Sequence, residues 1–263
     1  MKVGIIGMGM VGSAYKEALE TKGFNVNCYD KYKKPYNDLN NIVGCDILFL
    51  CLPTVPKDNG ELNIEPITDT IDFLKSINFK GLIILKSTVL PGTTKRLRKK
   101  YDLNIVHSPE YLAEATAFYN VIKPDRIVLG VPDDKVITDN FYRLHYIFHT
   151  PIYKVDSNTS EFAKFMENTF FATKVVFANE MNEIAKLYGA EYDKAKEILY
   201  MESRIGKDHL GINEKKKYGG HCLPKDTNQL IKDLEVNHNV KPLLLLKVKE
   251  VNDRDIKLEN VKK

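Results

Sequence analysis

The strongest constraint on this chain is a glycine-rich turn close to its N-terminus. Lys2-Val3-Gly4-Ile5-Ile6 reads as a buried strand, Gly7-Met8-Gly9-Met10-Val11-Gly12 as a tight turn, and Ser13 to Lys22 as an amphipathic helix. In that strand-turn-helix context GxGxxG has a physical meaning. The first glycine permits the turn, the second lets a pyrophosphate approach the backbone, and the third allows close helix packing, with phosphate on the helix N-terminus. Gly7, Gly9, Met10, Val11 and Gly12 are therefore expected to hold a dinucleotide. A second strand, Asn25 to Tyr29, ends at Asp30. An acid ~20 residues past the glycines binds an adenosine ribose hydroxyl, and its charge repels the extra phosphate of NADP, so the expected cofactor is NAD.

Strand and helix keep alternating beyond this unit. Asp46 to Cys51 is a continuous apolar strand of the kind found in parallel sheets, and a helix is expected from Ile64 to Ser76. The strand Gly81 to Lys86 follows, with Thr93 or Thr94 capping the basic helix after it. Thr54 and Thr88 fall just beyond strand C-termini, the edge where open α/β sheets bind ligands. Asn104 to Val106 forms a further strand. Ser108 as N-cap and Pro109 as first helical residue predict a helix with Glu110 and Glu114 on one face. Two carboxylates at the ligand edge suit acid-base work, or simply favourable charge at a helix start. Strands at Arg126 to Leu129 and Ile152 to Val155 flank a helix from Lys135 to Phe148. The alternation predicts an α/β fold, a Rossmann-like doubly wound parallel sheet over residues 1–155.

From residue 156 to 263 the pattern is helical, predicting a long connecting helix and a small all-α domain. The connecting helix runs from Asn158 to Tyr188, with Asn158 and Glu161 spaced as a capping box. Phe162, Phe165, Met166, Phe170, Val175 and Ala178 are expected mostly in the core, and Lys164 and Asn168 share a face. Shorter helices are predicted at Glu191 to Met201, Lys225 to Leu234 and Pro242 to Val261. In Gly219-Gly220-His221-Cys222-Leu223-Pro224-Lys225-Asp226, two glycines free the backbone and Pro224 suits a first helical turn. Cys222 then sits at a helix N-terminus, where the positive helix end and Lys225 favour a thiolate nucleophile. Asp226 is placed to orient the thiol, a substrate hydroxyl or a water.

The charge of +4, spread over 39 basic and 35 acidic residues, fits local sites for anionic small ligands better than a nucleic-acid-binding face. The densest basic run, Lys215 to Lys217, is either a solvated loop or a contact for a substrate phosphate. Cys28, Cys45, Cys51 and Cys222 show no zinc-like spacing and no disulfide framework, so no metal is expected and a reducing, cytoplasmic setting is. No apolar run approaches the ~20 residues of a membrane span.

Six blocks together resemble the nucleotide-sugar 6-dehydrogenase family, most closely its UDP-glucose type. They are GMGMVG at Gly7 to Gly12, KSTVLPGTT at Lys86 to Thr94, SPEYLAEA at Ser108 to Ala115, EFAKFMENTFFATK at Glu161 to Lys174, ESRIG at Glu202 to Gly206 and YGGHCLPKDTNQL at Tyr218 to Leu230. The resemblance implies Cys222 as nucleophile with Thr88, Glu110, Lys164, Asn168 and Asp226 around it. Asp30, Thr54, Thr88, Glu114 and Lys225 are implied as cofactor contacts. Glu110, Lys164, Asn168, Tyr218, Gly219 and Arg204 are implied at the UDP-sugar, Arg204 reaching it across a homodimer formed through the long helix. The implied reaction oxidises the C6 alcohol of UDP-glucose to UDP-glucuronate with two NAD+, in a chain lacking the family's C-terminal UDP-binding domain. Two alternatives share features: a two-domain β-hydroxyacid dehydrogenase, which needs no cysteine, and a dimeric NAD-binding remnant that partners a full-length relative.

Overall fold

The structure is a computed structural model that describes residues 1–57, 61–113, 116–131, 134–213, 215 and 217–254. The chain divides into two compact units, Met1–Val55 with Leu62–Lys164, and Pro56–Glu61 with Phe165–Lys263.

The first unit is built on a seven-stranded sheet of order β2-β1-β3-β4-β5-β6-β7. Its strands are β1 (Val3–Ile6), β2 (Val26–Tyr29), β3 (Ile47–Leu50), β4 (Leu82–Leu85), β5 (Ile105–His107), β6 (Ile127–Gly130) and β7 (Ile152–Val155). Helices α1 (Met10–Thr21), α2 (Glu65–Ser76), α3 (Thr93–Tyr101), α4 (Ala117–Ile122) and α5 (Lys135–His145) connect them. Successive strand residues point to opposite faces, and each face has its own core. Ile5, Phe49, Ile84 and Val106 pack with Ala18 of α1, Val121 of α4 and Phe141 of α5. Ile6, Leu50, Ile83 and Ile105 pack with Ile67 and Leu74 of α2 and Leu97 of α3. Burial on both faces is why β1, β3 and β4 are apolar throughout rather than alternating.

The sheet is parallel from β2 through β5, but His107 of β5 pairs antiparallel with Gly130 of β6, and β6 and β7 are parallel to each other. The expected all-parallel sheet is corrected at that pair. Among the described residues of the link from β5 to β6, the one helix is the short α4, whose Val121 packs with Ala18 of α1 in the same core.

Three caps also differ from expectation. No helix starts at Ser108: the Ser108 hydroxyl faces the Lys86 ammonium instead of capping, and residues 108–113 are irregular, with α4 beginning at Ala117. The N-cap of α3 is Gly92, at φ +90°, and the amides of Gly92 and Thr94 are taken by the Glu161 carboxylate, so neither Thr93 nor Thr94 caps. Glu161 is thereby unavailable for a capping box with Asn158; Asp156 caps the long helix through Thr159.

That long helix, α6 (Ser157–Leu187), continues into the second unit, where α7 (Tyr192–Leu199), α8 (Cys222–Asn237) and α9 (Leu243–Asp253) complete the described helices. α9 ends at Asp253, and residues 255–261 of the predicted last helix lie outside the described residues. A small core joins Ala172, Val175 and Val176 of α6 to Tyr218 and Val248. Phe165, Val175 and Ala178 are buried as expected, whereas Phe162, Met166 and Phe170 are exposed. The apolar residues of α6 occupy two faces, and among the described residues only one of them is covered.

Candidate active site

The glycine turn is shaped by close approach. Gly7 has φ +93°, and a Cβ there would lie 2.4 Å from the Cys51 carbonyl oxygen. A Cβ on Gly12 would lie 1.9 Å from the Gly7 oxygen, so α1 can sit this close to the turn only without a side chain. Gly9 has open space where its Cβ would be and serves as N-cap of α1, leaving a bare backbone surface at a positive helix end. Asp30 follows β2, and its carboxylate accepts from the Met8 amide at 2.8 Å, Tyr32 at 2.9 Å and Lys33 at 3.1 Å. These bonds lock it against the turn, and a carboxylate with about four lone-pair sites can still accept from a ribose hydroxyl. The cradle and the fixed acid fit NAD.

The loops after β3 and β4 are stitched together beside this edge. Ser87 donates to the Leu52 carbonyl at 2.7 Å and accepts from the Leu52 amide at 3.1 Å, and buried Thr54 donates to the Thr88 carbonyl at 3.0 Å. Thr88 itself is half-buried. After β5, the buried Glu110 carboxylate accepts from the Leu112 amide at 2.7 Å and lies 3.4 Å from the Lys164 ammonium of α6. Lys164 is also buried, 5.3 Å from the Tyr111 ring centre. A desolvated carboxylate-ammonium pair like this can exchange a proton with a bound hydroxyl. Glu114 lies outside the described residues.

In the second unit α8 begins at Cys222, after Gly220 at φ +71°. Asp226 follows one turn later on the same face, fully buried, and its carboxylate accepts from the Asn168 amide of α6 at 2.5 Å and pairs with Lys225. Tyr218 is buried and Gly219 exposed. Both side-chain amide atoms of Asn252 in α9 bond the Tyr218 backbone, the Oδ1 accepting at 2.8 Å and the Nδ2 donating at 3.4 Å, which fixes the approach to the glycine pair. Arg204 is exposed and forms a two-pronged pair with Glu202, at 2.9 Å from each carboxylate oxygen.

Cys222 and Cys51 are both half-buried, but only Cys222 lies at a helix start. Burial pushes the thiol of Cys28 up to about 11 and that of Cys51 up to about 12, so both are protonated and inert at neutral pH. Burial also raises Cys45.

Sequence patterns missed Lys86 and Asn252, and gave Glu161 to the start of the wrong helix. Lys86 carries a faint signal, a lone charge closing an apolar strand; Glu161 and Asn252 act on partners 69 and 34 residues away, which local spacing does not register. Within the described residues no group of three His, Cys, Asp or Glu could hold a metal, and no helix is long and apolar enough to cross a membrane.

The first unit is a dinucleotide-binding domain of the Rossmann type, and its helical companion places a cysteine at a helix start. Residues 36–149 match the NAD-binding domain of the UDP-glucose/GDP-mannose dehydrogenase family, and residues 158–254 match that family's central domain. The chain belongs to the UDP-glucose/GDP-mannose dehydrogenase family, and its cofactor is NAD. It is 34% identical to UDP-glucose 6-dehydrogenase YwqF of Bacillus subtilis over 79% of this chain and 48% of the relative. It is likewise 34% identical to the UDP-glucose 6-dehydrogenase of Campylobacter jejuni, over 78% of this chain and 52% of the relative. The chain thus spans about half the length of these relatives. A UDP-glucose dehydrogenase from Pyrobaculum islandicum shares the fold, with TM-score 0.84 and 23% identity over 96% of this chain and 68% of that one. A UDP-D-ManNAc dehydrogenase from Pyrococcus horikoshii does so at TM-score 0.81 and 20% identity, over 97% of this chain and 68% of that one.

Proposed function

We propose that this chain is a NAD-dependent nucleotide-sugar 6-dehydrogenase that takes the C6 alcohol of UDP-glucose through four electrons to the carboxylate of UDP-glucuronate. The observation that carries this reading is the start of α8: Cys222 in its first turn, with buried Asp226 one turn on, bonded to Asn168 and Lys225. A β-hydroxyacid dehydrogenase has no use for that cysteine.

Bound NAD+ supplies the hydride acceptor for both oxidations. Gly7, Gly9, Met10, Val11 and Gly12 carry its pyrophosphate, Asp30 its ribose, and Thr54, Thr88 and Lys225 contact it. Lys164, or a water held by Asp226, takes the C6 hydroxyl proton as the alcohol becomes an aldehyde. The Cys222 thiolate adds to the aldehyde carbon to form a thiohemiacetal, which oxidation carries to a thioester. Water activated by Glu110 or Asp226 cleaves the carbon-sulfur bond, releasing the sugar carboxylate and returning the thiol. Lys164 and Asn168 stabilise the oxyanions formed on the way. Tyr218 and Gly219 line the sugar.

The exposed stripe on α6, with Phe162, Met166, Phe170 and Phe177 all at least half exposed, supports a homodimer through that helix, each copy lending Arg204 to its partner's substrate. Cys28, Cys45 and Cys51, which form no disulfide, support a reducing compartment such as the cytoplasm.

NADH formation with UDP-glucose, on wild type and Cys222→Ser, tests the reading. Two NADH per sugar, abolished in the variant, is the expected result. Turnover that survives Cys222→Ser overturns the thioester route, and NAD binding without turnover on any nucleotide sugar overturns the activity in favour of a cofactor-binding partner protein.

A further inference from the structure

Lys86 has no role in the chemistry above, yet it is 2% exposed at the end of β4 among groups that do. Its ammonium donates to the Pro109 carbonyl at 3.3 Å and to the Ser108 hydroxyl at 3.4 Å, and lies 4.5 Å from the centre of the Tyr15 ring. Together with Tyr15, Ser108 and Arg126 it lines a cavity of about 40 Å³, far too small for a cofactor or sugar. An apolar side chain would fill this position with no desolvation cost, so the charge needs a reason.

The Pro109 carbonyl belongs to the peptide that carries the Glu110 nitrogen. Holding that peptide plane fixes the Glu110 backbone, from which the carboxylate reaches Lys164 at 3.4 Å. Residues 108–113 have no helix or strand to set their course, so side-chain anchors must do it. We propose that Lys86 is a positioning residue for Glu110, its ammonium holding the Pro109–Glu110 peptide and the Ser108 hydroxyl so that the carboxylate meets Lys164. The proposal rests on Glu110 and Lys164 being the acid-base pair proposed above.

Burial lowers the Lys86 pKa to about 7, against the pull of Cys51 and Glu110 and with the push of Lys164. Other titratable groups around it are Tyr15 from α1, His107 at the end of β5, and His145 from α5. Asp125 and Arg126 line the cavity before β6. Both histidines stay neutral above pH ~5, because burial and Lys86 itself hold them down to about 3. Cys51 stays protonated to about 12. Near neutrality, Lys86 is thus the anchor whose charge changes. A charged donor holds a carbonyl roughly twice as strongly as a neutral one.

The test follows the Glu110 side-chain carboxyl by carbon NMR through a pH titration of NAD-free protein, alongside NADH formation with UDP-glucose. In wild type the Glu110 signal shows an inflection near pH 7 from Lys86. In Lys86→Met and Lys86→Arg, which carry a fixed charge state there, that inflection is lost. Lys86→Met lowers kcat at least tenfold with KM within twofold, and Lys86→Arg, still able to donate, recovers part of the loss. A Glu110 titration identical in wild type and both variants overturns the proposal, as does full kcat in Lys86→Met. If Lys86→Met does not fold, Lys86→Arg carries the titration test alone. Should wild type not oxidise UDP-glucose, the function reading fails, while the titration still decides whether Lys86 acts on Glu110.

Discussion

Lowering the pH from 7 to 5 should weaken this fold by about 4 kcal/mol through two buried histidines. His145 of α5 is stacked on Phe141 with ring centres 3.8 Å apart, and Phe49 and Phe148 sit at its edges. Its Nδ1 donates to the Phe141 carbonyl, so the neutral ring carries its proton there, and Nε2 has no hydrogen-bond partner. His107 of β5 bonds Ser160 through Nδ1, also with Nε2 unpartnered. Desolvation lowers both from the ordinary 6.5 to about 3, and Lys86 adds to the effect at each. The unfolded chain therefore binds more protons than the folded one from about pH 6.5 down to about 3, and stability falls as pH falls through that window. At ~1.4 kcal/mol per pH unit below 6.5, each histidine costs about 2 kcal/mol between pH 7 and 5. His145→Phe isolates one of them, because a phenyl ring suits the aromatic nest and removes the stranded nitrogen. Urea denaturation at both pH values is the assay. Wild type should lose about 4 kcal/mol and His145→Phe about 2 kcal/mol, the variant minus wild-type difference cancelling every group the two share. An equal loss in the two proteins would refute the argument, since it would mean that His145 takes up its proton in the fold as easily as in the unfolded chain.

Three further outcomes are expected. Gly12→Ala places a Cβ 1.9 Å from the Gly7 oxygen, which must move by more than an ångström; overpacking costs about 1–3 kcal/mol, and calorimetry should show NAD affinity at least tenfold weaker. Asp226→Asn removes a buried charge held by Asn168 and Lys225 and should cut kcat by about 10²–10⁴-fold, with NAD affinity within a few fold; unchanged kcat would remove Asp226 from the chemistry. Phe170→Asp, at a position 60% exposed, should leave thermal stability of the monomer within about 0.5 kcal/mol but shift sedimentation from dimer to monomer. A wild-type protein that already sediments as a monomer would refute the α6 interface.

Periodicity and glycine spacing were enough to find the sheet, its order of strands and helices, the nucleotide turn, Asp30 and a cysteine at a helix start. These are local statements: a buried strand must be apolar, a turn under a pyrophosphate must be glycine, and both requirements are written into adjacent residues. The direction of β6 and β7 was not local, because a strand's apolar run reads the same whichever way it pairs. Nor were the caps. Ser108-Pro109 has the composition of a helix start, but a buried ammonium claimed the hydroxyl first, and Glu161 has the spacing of a capping box but caps α3 instead. The two apolar faces of α6 also merge in sequence, since period 3.6 cannot tell a covered stripe from an uncovered one. Which polar groups meet was decided only when the tertiary structure removed them from water. There an unpaired charge or amide costs more than local preference can supply, so Glu110 with Lys164, Asp226 with Asn168 and Asn252 with Tyr218 are pairings that the fold selected.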